Sequence, residues 1–158
     1  MNRHMFSSFH SLRFVGAIGL FSLPVAALLN PAQAAENDQS FWPSGARPYI
    51  ISPANGAVVS SPFTVVTGLK GLGIAPAGDD QPRTGHHHLL IDTPAPQGEA
   101  LEESIPKDAH HVHLGGGQTQ VDIKLPPGKH TLQLIMGDAG HVPHSHPLLS
   151  EPVTITVK

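Results

Sequence analysis

Every periodic segment of this chain has period two, and each is bounded by proline or glycine. Period two suits strands, whose successive side chains point to opposite faces, and it excludes helices, whose apolar positions recur every three to four residues. Tyr49-Ile50-Ile51 is stopped by Ser52-Pro53-Ala54-Asn55-Gly56, a turn of the usual punctuating residues. Ser61-Pro62 introduces Phe63 to Leu69, with Phe63, Val65, Thr67 and Leu69 on one face. Val121, Ile123 and Leu125 alternate inward. Pro126-Pro127-Gly128-Lys129 then reads as a hairpin turn that returns the chain as His130 to Met136. A last strand, Glu151 to Lys158, turns Val153, Ile155 and Val157 inward. Two further strands carry histidines, Gly85 to Asp92 and His110 to Leu114. Only Glu99 to Lys107 admits a helical turn, around Ala100, Leu101 and Ile105. About seven short strands with regular turn signals predict an all-β fold, an antiparallel Ig-like β-sandwich, with a small barrel as the second arrangement.

The N-terminus has a different character. Arg3 and Arg13 precede an apolar stretch from Phe14 to Leu23, Pro24 and Pro31 close it, and Ala32-Gln33-Ala34 has the small-x-small form of a cleavage site. Residues 1–34 therefore read as a secretory signal peptide, too short and too broken for a membrane anchor, and the expected location is periplasmic or secreted. Residues 35–48 read as a flexible leader with Trp42 and Pro43 its only anchors, and residues 49–158 as a single domain. Cleavage leaves 124 of the 158 residues and removes two arginines, taking the formal charge from −3 to −5. An acidic balance without a basic run argues against a nucleic-acid partner. The chain has no cysteine, so disulfides, thiolate metal sites and cysteine nucleophiles are all excluded.

Histidine is what the chain has in excess: ten of its twelve lie beyond the signal, beside one methionine, Met136. In Gly85-His86-His87-His88-Leu89-Leu90-Ile91-Asp92, alternation puts His86 and His88 on one face and His87 on the core face with Leu89 and Ile91. In His110-His111-Val112-His113-Leu114, Val112 and Leu114 face the core while His111 and His113 face away. Two His-x-His pairs on two strands could build an all-nitrogen site for Cu(II) or Zn(II), because neutral imidazole is the commonest transition-metal ligand. A third group, His141-Val142-Pro143-His144-Ser145-His146, has the spacing of a loop that wraps an ion, with His141 and His144 its candidate ligands. The candidate metal set is thus His86, His88, His111, His113, His141 and His144. The plainer reading of any one of them is a hydrogen-bonded or solvated imidazole. His87 and His130, both in phase with core residues, read as structural. Asp92 and Asp138 close their strands and read either as acceptors that orient imidazoles or as turn caps.

These blocks resemble a bacterial exported family, domain of unknown function 4399. The resemblance runs through Ser61-Pro62-Phe63, Ala75-Pro76-Ala77-Gly78 and the triple-histidine block. It continues in His113-Leu114-Gly115 with Gly117-Gln118-Thr119, and in Pro127-Gly128-Lys129-His130-Thr131-Leu132-Gln133-Leu134. Gly137-Asp138, His141, Pro143-His144 and Thr154-Ile155-Thr156-Val157 complete it. What it implies is an exported β-sandwich, with no chemistry attached. Separately, His111-Val112-His113 followed by glycine is similar to the copper strand of Cu,Zn superoxide dismutases, whose disulfide cysteines and long zinc loop this chain lacks.

Three classes of function follow. The first is an exported Cu(II) or Zn(II) carrier, buffer or sensor, whose partners are the metal ion and, for a carrier, another periplasmic protein. The second is a metalloenzyme with an open coordination position, of dismutase or hydrolytic type. The third is an Ig-like interaction module whose histidines only stabilise the fold. No Ser-His-Asp set or paired carboxylates stand out, which favours a non-enzymatic role. Ligation by neutral imidazole also predicts affinity that falls between about pH 7.5 and 5.5.

Overall fold

The computed structural model describes residues 40–158, and the signal-peptide reading of residues 1–34 lies outside them. Among the described residues nine strands run in chain order: β1 (Arg47–Ser52), β2 (Val58–Val59), β3 (Phe63–Lys70), β4 (Gly73–Ile74), β5 (Thr84–Ile91), β6 (His111–His113), β7 (Gln120–Ile123), β8 (Gly128–Gly137) and β9 (Val153–Val157). A 3₁₀ turn, Gly98–Glu102, falls where the sequence admits a helical turn. The strands make two sheets, as a β-sandwich requires. One is three-stranded, β1-β3-β7; the other is ordered β2-β9-β8-β5-β4, with β6 also paired to β5.

Alternation sorts the core as expected. Val65 of β3 and Ile123 of β7 meet Leu89 and Ile91 of β5, Leu132 and Leu134 of β8, and Val153, Ile155 and Val157 of β9. Leu114 joins them, and Val112 packs against the same cluster. Burying each such side chain contributes about 1.5–3 kcal/mol.

Two expectations need correction. β7 and β8 are not a hairpin: β7 pairs with β3, whereas β8 pairs with β5 and β9. Pro126 and Pro127 carry the chain from one sheet to the other; neither has an amide hydrogen to extend a ladder. Nor is every pairing antiparallel, since β2 runs parallel to β9 and β4 parallel to β5.

The described part of the leader is docked on the domain. Trp42 is 3% exposed, and its Nε1 donates to the Pro143 carbonyl at 2.6 Å. The outer face of the larger sheet is also covered. Leu90 and Ile135 pack there against Ile105, with Ala95 and Leu149 at the margin. β5 is therefore buried on both faces, a condition alternation alone does not reveal.

Candidate metal centre

β5 sets the site. Its ladder places His88 between His113 of β6 and Ile135 of β8, and His86 opposite Gly137. His86 and His88 project with Leu90 to the covered outer face. His87 projects inward, where its Nδ1 lies 3.2 Å from Thr67 Oγ1. All three imidazoles are at most 1% exposed. The expectation that His86 and His88 face away from the apolar core holds for the inner core only; the loops after β5 and β8 roof them over.

The fourth member comes from the loop after β8. Its turn is held by the Asp138 carboxylate, which accepts from the amides of Gly140 at 2.8 Å and Val142 at 2.9 Å. His141, at φ 68°, sits within that turn and is fixed on its far side by its own carbonyl, which accepts from Ile105 N at 2.9 Å. One ring nitrogen each from His86, His88, His113 and His141 falls within 4.8 Å of the others, and the ring centroids are 4.7–5.7 Å apart.

Three of these nitrogens meet closely. His88 Nε2 is 3.0 Å from His86 Nε2, which is 3.0 Å from His141 Nδ1. A neutral imidazole nitrogen carries either one hydrogen or one lone pair, so His86 Nε2 can make a well-directed hydrogen bond along only one of the two contacts. A cation resolves the conflict, because lone pairs can all aim at it. Nitrogens held about 2.0–2.1 Å from one ion, at right to tetrahedral angles, stand about 2.9–3.4 Å apart. The observed 3.0 Å lies in that range. The widest pair, at up to 4.8 Å, has to close by about 1.4 Å to share the ion at a tetrahedral angle.

Three ring nitrogens of the cluster, His86 Nδ1, His88 Nδ1 and His113 Nε2, are buried without a hydrogen-bond partner among the described residues. Among the described residues, no carboxylate is hydrogen-bonded to a ring of the cluster. Asp92 instead takes His130 Nδ1 at 2.6 Å, and Asp138 takes His144 Nε2 at 2.8 Å. Burial, then the neighbouring His113 and His141, pushes the His86 pKa from 6.5 down to about 4. Burial, then His86, His113 and His141, takes His88 to about 2. His113 is lowered too, by burial, His141 and Lys107. The rings are thus held neutral, the form that binds metal. For His86 and His88, proton competition lies well below the expected window around pH 6.5.

Residues 65–158 match the family described as Domain of unknown function (DUF4399). The chain belongs to this family. The match opens inside β3, after Ser61-Pro62-Phe63, and takes in all four clustered histidines of this DUF4399 domain. No curated protein matches the chain.

Two of the six histidines singled out in the DUF4399 sequence stay outside the cluster. His111 lies beside Leu90 in the ladder, one step beyond the site, and its Nδ1 is 2.8 Å from Asp108 Oδ1. His144 is bonded to Asp138 and stacked on Phe41 at 3.7 Å. His146 is exposed.

Glycines that the sequence offers only as turn residues matter here. A Cβ on Gly115 would lie inside the His113 imidazole, and one on Gly137 would stand 3.0 Å from His88 Nε2. Gly115→Ala is expected to fold, because the obstacle is a movable ring. It should nevertheless weaken metal binding by roughly tenfold or more, the loss of about 1.4 kcal/mol from one displaced ligand. Metal titration beside a thermal melt of the metal-free variant checks this. Unchanged affinity would remove His113 from the ligand set.

Proposed function

We propose that His86, His88, His113 and His141 together hold one transition-metal ion, Cu(II) or Zn(II). On this reading the protein is an exported metal carrier, buffer or sensor acting in the periplasm or outside the cell. One observation carries it: buried imidazole nitrogens meet at 3.0 Å in an arrangement that hydrogen atoms cannot satisfy and one ion can. The donor chemistry agrees. Four imidazoles and no thiolate suit borderline divalent ions, whereas Ca²⁺ and Mg²⁺ require oxygen ligands. The export half of the proposal rests on the signal-like first 34 residues.

The test is the metal content of tag-free protein expressed with its own N-terminus and recovered from the periplasm. One equivalent of copper or zinc is expected, dropping to background in the His86→Ala/His88→Ala double variant. Equal metal in both proteins, or none in the wild type after loading, would overturn the proposal.

A further inference from the structure

The histidine cluster is roofed but not sealed. A cavity of about 280 Å³, partly open to solvent, borders it, lined by His88, His113 and His141 together with Ile105 and the exposed Lys107. Three of the four candidate ligands therefore border one opening, and an ion among them would be reached through it. The lining contains no carboxylate. Its one fixed charge is the Lys107 ammonium, which is exposed and, among the described residues, has no ion-pair partner. Lys107 lines the same cavity as His113. Asp138, the carboxylate that holds the His141 turn, is occupied by two amides and His144 and lines a different cavity. The approach to the site thus carries positive charge at its rim and apolar surface beside it.

Resting on the metal-site reading, we propose that this cavity admits a small inorganic anion, which binds the histidine-held metal as an external ligand with Lys107 supplying the attraction. A unit positive charge at the mouth raises the local concentration of anions and stabilises one bound within reach. The cavity's volume of about 280 Å³ suits small species. The ion is on this view one to which a small anionic substrate or ligand is delivered, in addition to one that is stored.

Copper(II)-loaded protein titrated with sodium azide at constant ionic strength provides the test, read by visible absorption and electron paramagnetic resonance. Saturable azide binding to copper is expected. Lys107→Ala should weaken it about threefold to tenfold, Lys107→Glu further, and Lys107→Arg should restore it. Copper affinity measured against a competing chelator should not fall in Lys107→Ala or Lys107→Glu, because loss of a positive charge at the cavity favours the cation. Copper bound normally but blind to azide, or azide binding alike in every variant, would overturn this inference and leave the metal site standing. Failure to take up copper at all would remove both.

Discussion

Loading the metal-free protein with one equivalent of Cu(II) or Zn(II) should raise its melting temperature by on the order of 15 °C, and His88→Ala should abolish the rise. A ligand present at about a thousand times its dissociation constant adds about 4 kcal/mol to the folded state. Each kcal/mol moves the melting point of a domain this size by several degrees. In the metal-free state His88 contributes little, for its ring is buried with an unpartnered Nδ1 and a pKa pushed to about 2. Truncation leaves a void, yet it also removes a buried polar atom with no hydrogen bond. The metal-free variant should therefore melt within a few degrees of the metal-free wild type and fail to respond to metal. Equal gains in the two proteins would place the metal elsewhere.

Acid should destabilise the chelator-treated protein between about pH 6.5 and 4, with His87 contributing the clearest share. Burial lowers His87 to about 4, although backbone hydrogen bonding at Gly68 and Gln118 pulls the other way. The hydrogen bonds explain why. Thr67 Oγ1 donates to the Thr119 carbonyl, so His87 Nδ1–H donates to Thr67 Oγ1, and its Nε2 is left buried and unpartnered. A second proton would put a charge into this buried site, a cost that the backbone carbonyls only partly offset. Between the folded value near 4 and the unfolded value of 6.5, the unfolded chain binds a proton that the folded chain refuses. Stability is therefore fully present above about 6.5, falls as pH drops, and levels below about 4; the loss from His87 is about 3 kcal/mol. His130 has the opposite sign, because Asp92 raises its pKa and holds it more firmly when protonated. Denaturant unfolding from pH 7.5 to 4.5 measures the slope. His87→Leu should flatten it by about one proton, and an unchanged slope would remove His87 as its source.

How far the sequence carries is clearest along β5 and β6. Alternation alone separates His87 from His86 and His88, and identifies Val112 and Leu114 as core. It cannot distinguish His113 from His111, which share a face. The distinction comes from register: His113 stands opposite His88, whereas His111 stands opposite Leu90 with Asp108 beside it. The same holds in the loop after β8. His141 and His144 look equivalent in spacing, but Asp138 takes the second while its turn presents the first. The roof over His86 and His88 was illegible for another reason. It is built from stretches without periodicity, held by single bonds such as Ile105 N to the His141 carbonyl and His144 N to the Leu101 carbonyl. The mistaken hairpin at Pro126-Pro127 has a similar origin, since alternation marks a strand without naming its neighbour.

His141 lies 55 residues along the chain from His86, whose ring it touches. In a protein without cysteine, an ion shared by the two would act as a cross-link that can be inserted and withdrawn. By the loop-entropy relation used for disulfides, tying together a segment of 55 residues restricts the unfolded chain by roughly 4 kcal/mol. A disulfide keeps that restraint until it is reduced; here it would come and go with metal supply. The persistence of the folded chain would then depend on metal availability.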